Sequence, residues 1–206
     1  MKVIERNIFE FQEKDFFSPV RSKIDYARLI ALAARKLLLG LDSEVIESTA
    51  NMKLIVGKMS RLFFYQKNKY FSVSFPFSTI IDNNEVIELT TYSGKNLDFK
   101  SISAIISILD SEQFRLNPSL IDFYIEPYSI ESSGLFLLEE IFQFEPSYIR
   151  YDNDPLHNNG KLHPLDHLDI NYSQNSTFKL GLNSSITVAY FENIQNVNTE
   201  CSFVTD

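Results

Sequence analysis

The sequence predicts an α+β domain in which two N-terminal helices pack on a mostly antiparallel sheet. Three observations point there. Apolar residues over the first 60 positions recur at helical spacing, whereas those after Arg61 fall into short aromatic and β-branched runs. A chain of 206 residues with a 44% hydrophobic fraction, 18 Phe and 10 Tyr also has material for one large core. The expected organisation is a single domain over 1–206, helical over 1–60 and sheet-rich over 61–206.

The elements follow in order. Ser22, with Asp25 three residues on, resembles a capping box, and Pro19 lies just upstream. From there IDYARLIALAARKLLLG reads as a helix ending at Gly40. Ile24, Ala27, Ala31, Ala34 and Leu38 form one apolar face, which Ile30, Ala33 and Leu37 widen into the stripe of a buried helix. Asp42 or Ser43 caps a second expected helix, with Val45, Thr49, Met52, Val56 and Met59 at helical spacing. LFFYQ and YFSVSFPF read as strands joined by a turn at Gln66–Lys69, and EVIELTTY as a third. Leu97 to Leu109 returns to helical spacing, with Asp98 as its cap. IDFYIEP reads as a strand, SSGLFLLEEIFQFEP as a helix ended by Pro146, and SYIRYD and DHLDINY as strands. The tail FKLGLNSSITVAYFENI reads as a strand and a short helix.

Composition narrows the function classes. No apolar run reaches the roughly 20 residues of a membrane span, and the N-terminus lacks the apolar stretch of a signal peptide. Cys201 is the one cysteine, which leaves neither an intrachain disulfide nor a cysteine-based zinc cluster. A cytoplasmic location with no membrane partner is expected. The net charge of −8 is uneven: residues 1–69 carry 13 Lys/Arg against 8 Asp/Glu, and residues 70–206 carry 6 against 19. Lys53, Lys58, Arg61, Lys67 and Lys69 together form a candidate basic surface for a phosphate backbone, against the plainer reading of a solvated face.

The chemistry concentrates in RYDNDPLHNNGKLHPLDHLD. All three histidines, His157, His163 and His167, fall within eleven residues, alongside Asp152, Asp154, Asp166 and Asp169, with Arg150 at the edge. Strand alternation puts Tyr148, Arg150 and Asp152 on one face, and His167 with Asp169 on one face. If the two segments pair, Arg150, Asp152, His167 and Asp169 share a surface while Ile149, Leu168 and Ile170 turn away. Three readings stay open. His163, His167 and Asp169 hold a divalent metal that activates water; or two histidines act as general acid and base while Arg150 steadies a phosphate; or the polar residues form a structural network that pins the loop. The chain has no HExxH, P-loop, dinucleotide fingerprint or G-x-S-x-G, which argues against a zincin, a kinase, an NAD-dependent dehydrogenase and an α/β-hydrolase.

Tyr148-Ile-Arg-Tyr-Asp152 followed by His163-Pro-Leu-Asp-His167-Leu-Asp169 resembles the signature of an uncharacterised bacterial domain-of-unknown-function family, over most of the chain. Over about twenty residues RYDNDPLH and its paired-histidine segment are also similar to the TumE-like toxins of toxin–antitoxin pairs, whose histidine doublets are single histidines here. The resemblance implies a toxin-like or phage-defence protein, with Arg150, Asp152, His163 and His167 matching both patterns and Asp169 standing where the first family's strand often has a further polar residue; the expectation is that this cluster acts on a phosphate-bearing substrate, RNA or DNA. The alternative it implies is a non-catalytic subunit that docks on an antitoxin or an ATPase.

Overall fold

A computed structural model describes residues 1–40, 48–58, 60–125, 132–171 and 178–203. In chain order the elements are β1 (Lys2–Ile8), α1 (Glu10–Phe16), α2 (Lys23–Leu39), β2 (Ala50–Val56), β3 (Ser60–Gln66), β4 (Lys69–Ser74), β5 (Ser78–Asp82) and β6 (Glu85–Thr90). There follow α3 (Phe99–Asp110), α4 (Glu112–Leu116), α5 (Ile121–Ile125), α6 (Ser132–Gln143), β7 (Ile149–Asn153), β8 (Asp166–Ile170), β9 (Phe178–Gly181) and α7 (Val188–Asn193). The α+β class and the antiparallel pairing are as the sequence predicts. Two compact units share the chain. Met1–Phe17, Val45–Ser74 and Ser147–Asp206 make the first, and Ser18–Glu44 with Phe75–Pro146 the second.

The first unit is a seven-stranded sheet in the order β1-β2-β3-β4-β7-β8-β9, with every neighbour antiparallel. Its two faces follow from alternation. On one, Phe63, Tyr65, Tyr151 and Leu168 pack with Phe191 of α7. On the other, Phe64 stacks on Phe71 at 4.6 Å between ring centroids, and Phe16 and Phe17 lie against these rings. Arg150 and Asp152 of β7 belong to this second face, because Phe71 pairs with Arg150 in register.

In the second unit α2 packs on α3, α6 and β6. The Ser22 side chain accepts from the Asp25 backbone N–H, as the cap predicts, and Gly40 closes the helix with φ +82°. The near-complete burial of Tyr26 through Ala34 bears out the broad apolar stripe. Asp98 caps α3, accepting from the Ser101 backbone N–H at 2.7 Å. β5 and β6 form a separate two-stranded sheet turned by Asn83 and Asn84, both at positive φ, a conformation asparagine tolerates better than most residues.

Two expectations are corrected. The segment expected to continue as a second helix is a strand over Ala50–Val56, while its caps Asp42 and Ser43, with Val45 and Met59, lie outside the described residues. Ala50, Met52 and Leu54 alternate inward, and β1 and β3 supply ladders on both sides, so tertiary pairing overrides the helical spacing. IDFYIEP is not a strand: Ile121–Ile125 form one helical turn that buries Phe123 alone, edge-on to Phe114. Its last two residues lie outside the described set. The sequence reading also places no element before Ser22, where β1 forms. The inward charge of Arg6 breaks up the Ile4–Ile8 alternation that marks this strand.

Candidate functional site

β7 and β8 are antiparallel neighbours, and their register sets Arg150 opposite Asp169 and Asp152 opposite His167. Directly opposed residues on adjacent strands share a face with Cβ atoms about 5 Å apart. The four side chains therefore meet, as strand alternation predicts. The Arg150 guanidinium bridges the two carboxylates. Its terminal nitrogen donates to Asp169, and Nε lies 2.6 Å from Asp152 Oδ2. That second contact is a charge pairing and not an aligned hydrogen bond, since Nε–H has no acceptor in line.

The connection from β7 to β8 places the histidines. Asn159 and His163 form a bridge across a tight turn at Gly160, where φ is +53°. Pro164 then lies over Gly181, where an added Cβ would come within 2.9 Å of the proline ring. The Pro164 carbonyl accepts from His167 Nδ1 at 3.0 Å. A carbonyl can only accept, so Nδ1 carries a proton, and in the neutral ring the lone pair is on Nε2. Nε2 faces Asp152 Oδ2 at 4.0 Å. His163 packs edge-on to His167 with ring centroids 4.6 Å apart, and His157 stands 6.3 Å beyond His163. His157 is paired with Asp154 at 2.8 Å on the exposed rim, away from the carboxylate pair.

Burial gives the site its character. His167 is 1% exposed and Asp169 2%. Among the described residues, Asp169 Oδ1 and His163 Nδ1 are buried without a hydrogen-bond partner. A buried polar atom left this way costs about 1–3 kcal/mol, and Arg150 Nε is a third in the same stretch. Asp152, His167 and Asp169 each offer a ligand atom, and these lie within 4.8 Å of one another. The ligand set expected from sequence was His163, His167 and Asp169. The structure gathers Asp152 with the last two, and sets His163 against the His167 ring.

Sequence reasoning misplaced Lys69. It pairs in register with Asp152 and donates to the Phe17 carbonyl at 3.1 Å, beside the cluster and off any basic surface. Burial and the nearby Arg150 charge lower its pKa, against the pull of Asp152 and Asp169. Lys53 is tied to Glu192 at 2.7 Å and Arg61 is buried among Ser72, Ser147 and Gln195, so the five basic residues do not form one surface. Burial pushes Tyr148, the next residue along this face, up to about 12, although Arg150 pulls the other way. Only strand order brings Lys69 to residue 152, and no local pattern in the sequence carries that.

Among the described residues no helix is long and apolar enough to cross a membrane. Compared with protein-family models, curated proteins and solved structures, the chain matches none of them.

Proposed function

We propose that the protein hydrolyses a phosphate-bearing substrate, RNA or DNA, at the Arg150, Asp152, His167 and Asp169 cluster. One observation carries this reading. His167 is held in a single tautomer by the Pro164 carbonyl, and its free Nε2 is presented to a carboxylate beside two fixed cations, Arg150 and Lys69. An imidazole with a committed Nδ1–H takes a proton from water at Nε2, and the cations offset charge building on a phosphate. The setting follows from the resemblance of Arg150-Tyr-Asp152 and His163-to-His167 to bacterial toxin-like and defence-associated proteins.

A second reading has its own support. Asp169 and His167 are almost fully buried, and Arg150 with Lys69 balances Asp152 with Asp169, which suits a structural network in a non-catalytic subunit of a toxin–antitoxin or ATPase-containing complex. The test assays labelled RNA and DNA with the wild type and with His167→Gln, and measures melting temperature on the same preparations. The hydrolytic reading expects cleavage per folded molecule to fall by about 100-fold or more, measured below the variant's own melting temperature. Absence of cleavage by the wild type, or equal cleavage by a variant that melts lower, rejects it in favour of the subunit.

A further inference from the structure

We propose that Asp152, His167 and Asp169 bind one divalent transition-metal ion, and that the Arg150 guanidinium occupies the carboxylates until the ion displaces it. The argument starts from the unfilled bonding capacity. Asp169 is buried, and its Oδ1 accepts nothing while its Oδ2 takes Arg150. His167 spends Nδ1–H on the Pro164 carbonyl, the arrangement by which an outer partner orients an imidazole so that its other nitrogen can ligate. With a carboxylate oxygen of Asp152 these make a set of one nitrogen and two oxygens spanning 4.8 Å. Donor atoms held tetrahedrally at 2.0–2.2 Å from one ion lie about 3.4 Å apart, so the widest pair closes by about 1.4 Å when the ion displaces Arg150. An imidazole with two carboxylates suits zinc or manganese better than magnesium or calcium, which favour oxygen alone.

Arg150 explains how two adjacent carboxylates are tolerated without an ion. It reaches both, through Nε to Asp152 and through a terminal nitrogen to Asp169, so the guanidinium and the ion compete for the same oxygens. The competition has a chemical consequence. A divalent ion replacing Arg150 between the two carboxylates, with Lys69 in place, leaves a net positive site, and the freed guanidinium is a second donor for an anion. Three protein donors also leave coordination positions open for water or a phosphate oxygen.

This inference rests on the same cluster as the hydrolytic reading but not on catalysis: an ion on His167 Nε2 takes the lone pair that would accept a proton from water, so the ion-bound form is a separate state of the site, and the test reads binding alone. A chain that binds zinc and cleaves nothing refutes the first and leaves the second standing. The full chain is titrated calorimetrically at neutral pH with ZnCl2, MnCl2 and MgCl2 in turn, and melted with and without each. The expected result is one Zn2+ or Mn2+ per chain, with Mg2+ at least about 10-fold weaker. At a hundredfold excess over Kd the bound ion should raise the melting temperature by about 5–10 °C. Asp169→Asn should lose about 100-fold in affinity or more, and Arg150→Gln, lacking the competing cation, should gain about 10-fold. No heat and no melting shift at millimolar ion, or undiminished binding by Asp169→Asn, overturns the site. Affinity unchanged or weakened in Arg150→Gln overturns the displacement. Should Arg150→Gln fold only in the presence of zinc, the rescue supports displacement; should it fold under neither condition, displacement is rejected, and the site is judged on Asp152→Asn, which should also lose about 100-fold.

Discussion

Arg150 is the side chain on which the others depend. It is one half-buried cation holding two carboxylates, and both carboxylates hold it. Burial lowers its affinity for protons, but Tyr148, Asp152 and Asp169 more than restore it, so it stays charged. Removing one carboxylate leaves a charge in a poorly solvated place, which is the costly way to break a buried pair. Asp169→Ala should therefore cost about 2–3 kcal/mol, read from urea unfolding at neutral pH. A loss below about 0.5 kcal/mol, the scale of a surface change, would mean that solvent already screens the pair. The residues of this group were legible because alternation on two short strands is a local property: Tyr148-Ile-Arg-Tyr-Asp152 and His167-Leu-Asp169 each show one face to any reader. Their burial was not legible. Nothing near His167 in the chain says that the Pro164 carbonyl will accept a hydrogen bond from its Nδ1–H, or that Phe71 and Lys69 will close the neighbouring strand.

At the scale of elements, the capped helices α2 and α3 were placed correctly, whereas the cap expected at Asp42 or Ser43 led to a segment that is a strand over Ala50–Val56. Asp98 accepts from the Ser101 backbone N–H, and Ser101 returns a contact to the Asp98 backbone, a reciprocal cap at the start of α3. These hydrogen bonds, with Lys100 contributing, hold the Asp98 carboxyl below its ordinary value despite a small opposing effect of burial. Its folded pKa is depressed, so its stabilisation is fully present above the ordinary carboxylate range and disappears as pH falls through the folded value. Asp98→Ala should cost about 1 kcal/mol at neutral pH, and the difference from wild type should shrink below about pH 4. A pH-independent difference would point to lost packing in place of a lost cap. A cap candidate alone does not settle an element, as the strand after Asp42 and Ser43 shows. Ala50–Val56 satisfies both a helical and a strand period, and the choice between them is made by β1 and β3, one of which the sequence hides behind Arg6.

Over the whole molecule the chain passes repeatedly between two units, and the central pairing of the first unit depends on that path. β4 ends at Ser74 and its partner β7 begins after Ser147, and all of Phe75–Pro146, 72 residues, lies between them in the second unit. When that stretch is folded, the two strands are joined by a fixed structure. When it is unfolded, they are joined by a flexible loop whose closure costs about 4 kcal/mol beyond a constant. A lesion inside the second unit should therefore weaken the pairing on which Arg150 and Asp152 sit, without touching either. Gly134 supplies the lesion. It sits in α6 against α3, and a Cβ there would come within 2.6 Å of the Ala104 Cβ and 3.2 Å of the Ser101 carbonyl, neither of which is the end of a flexible chain. Gly134→Ala gains about 1 kcal/mol of helix propensity but forces the two helices apart, for a net loss of about 1–2 kcal/mol. Hydrogen exchange followed by mass spectrometry should then show faster opening in α3 and α6 and, to a smaller degree, in β4 and β7. The β2–β3 ladder, whose strands are joined within the first unit and close no such loop, should change least. Faster exchange confined to α3 and α6 would show that the sheet closes without help from the folded insertion, and that the site's scaffold is independent of the second unit.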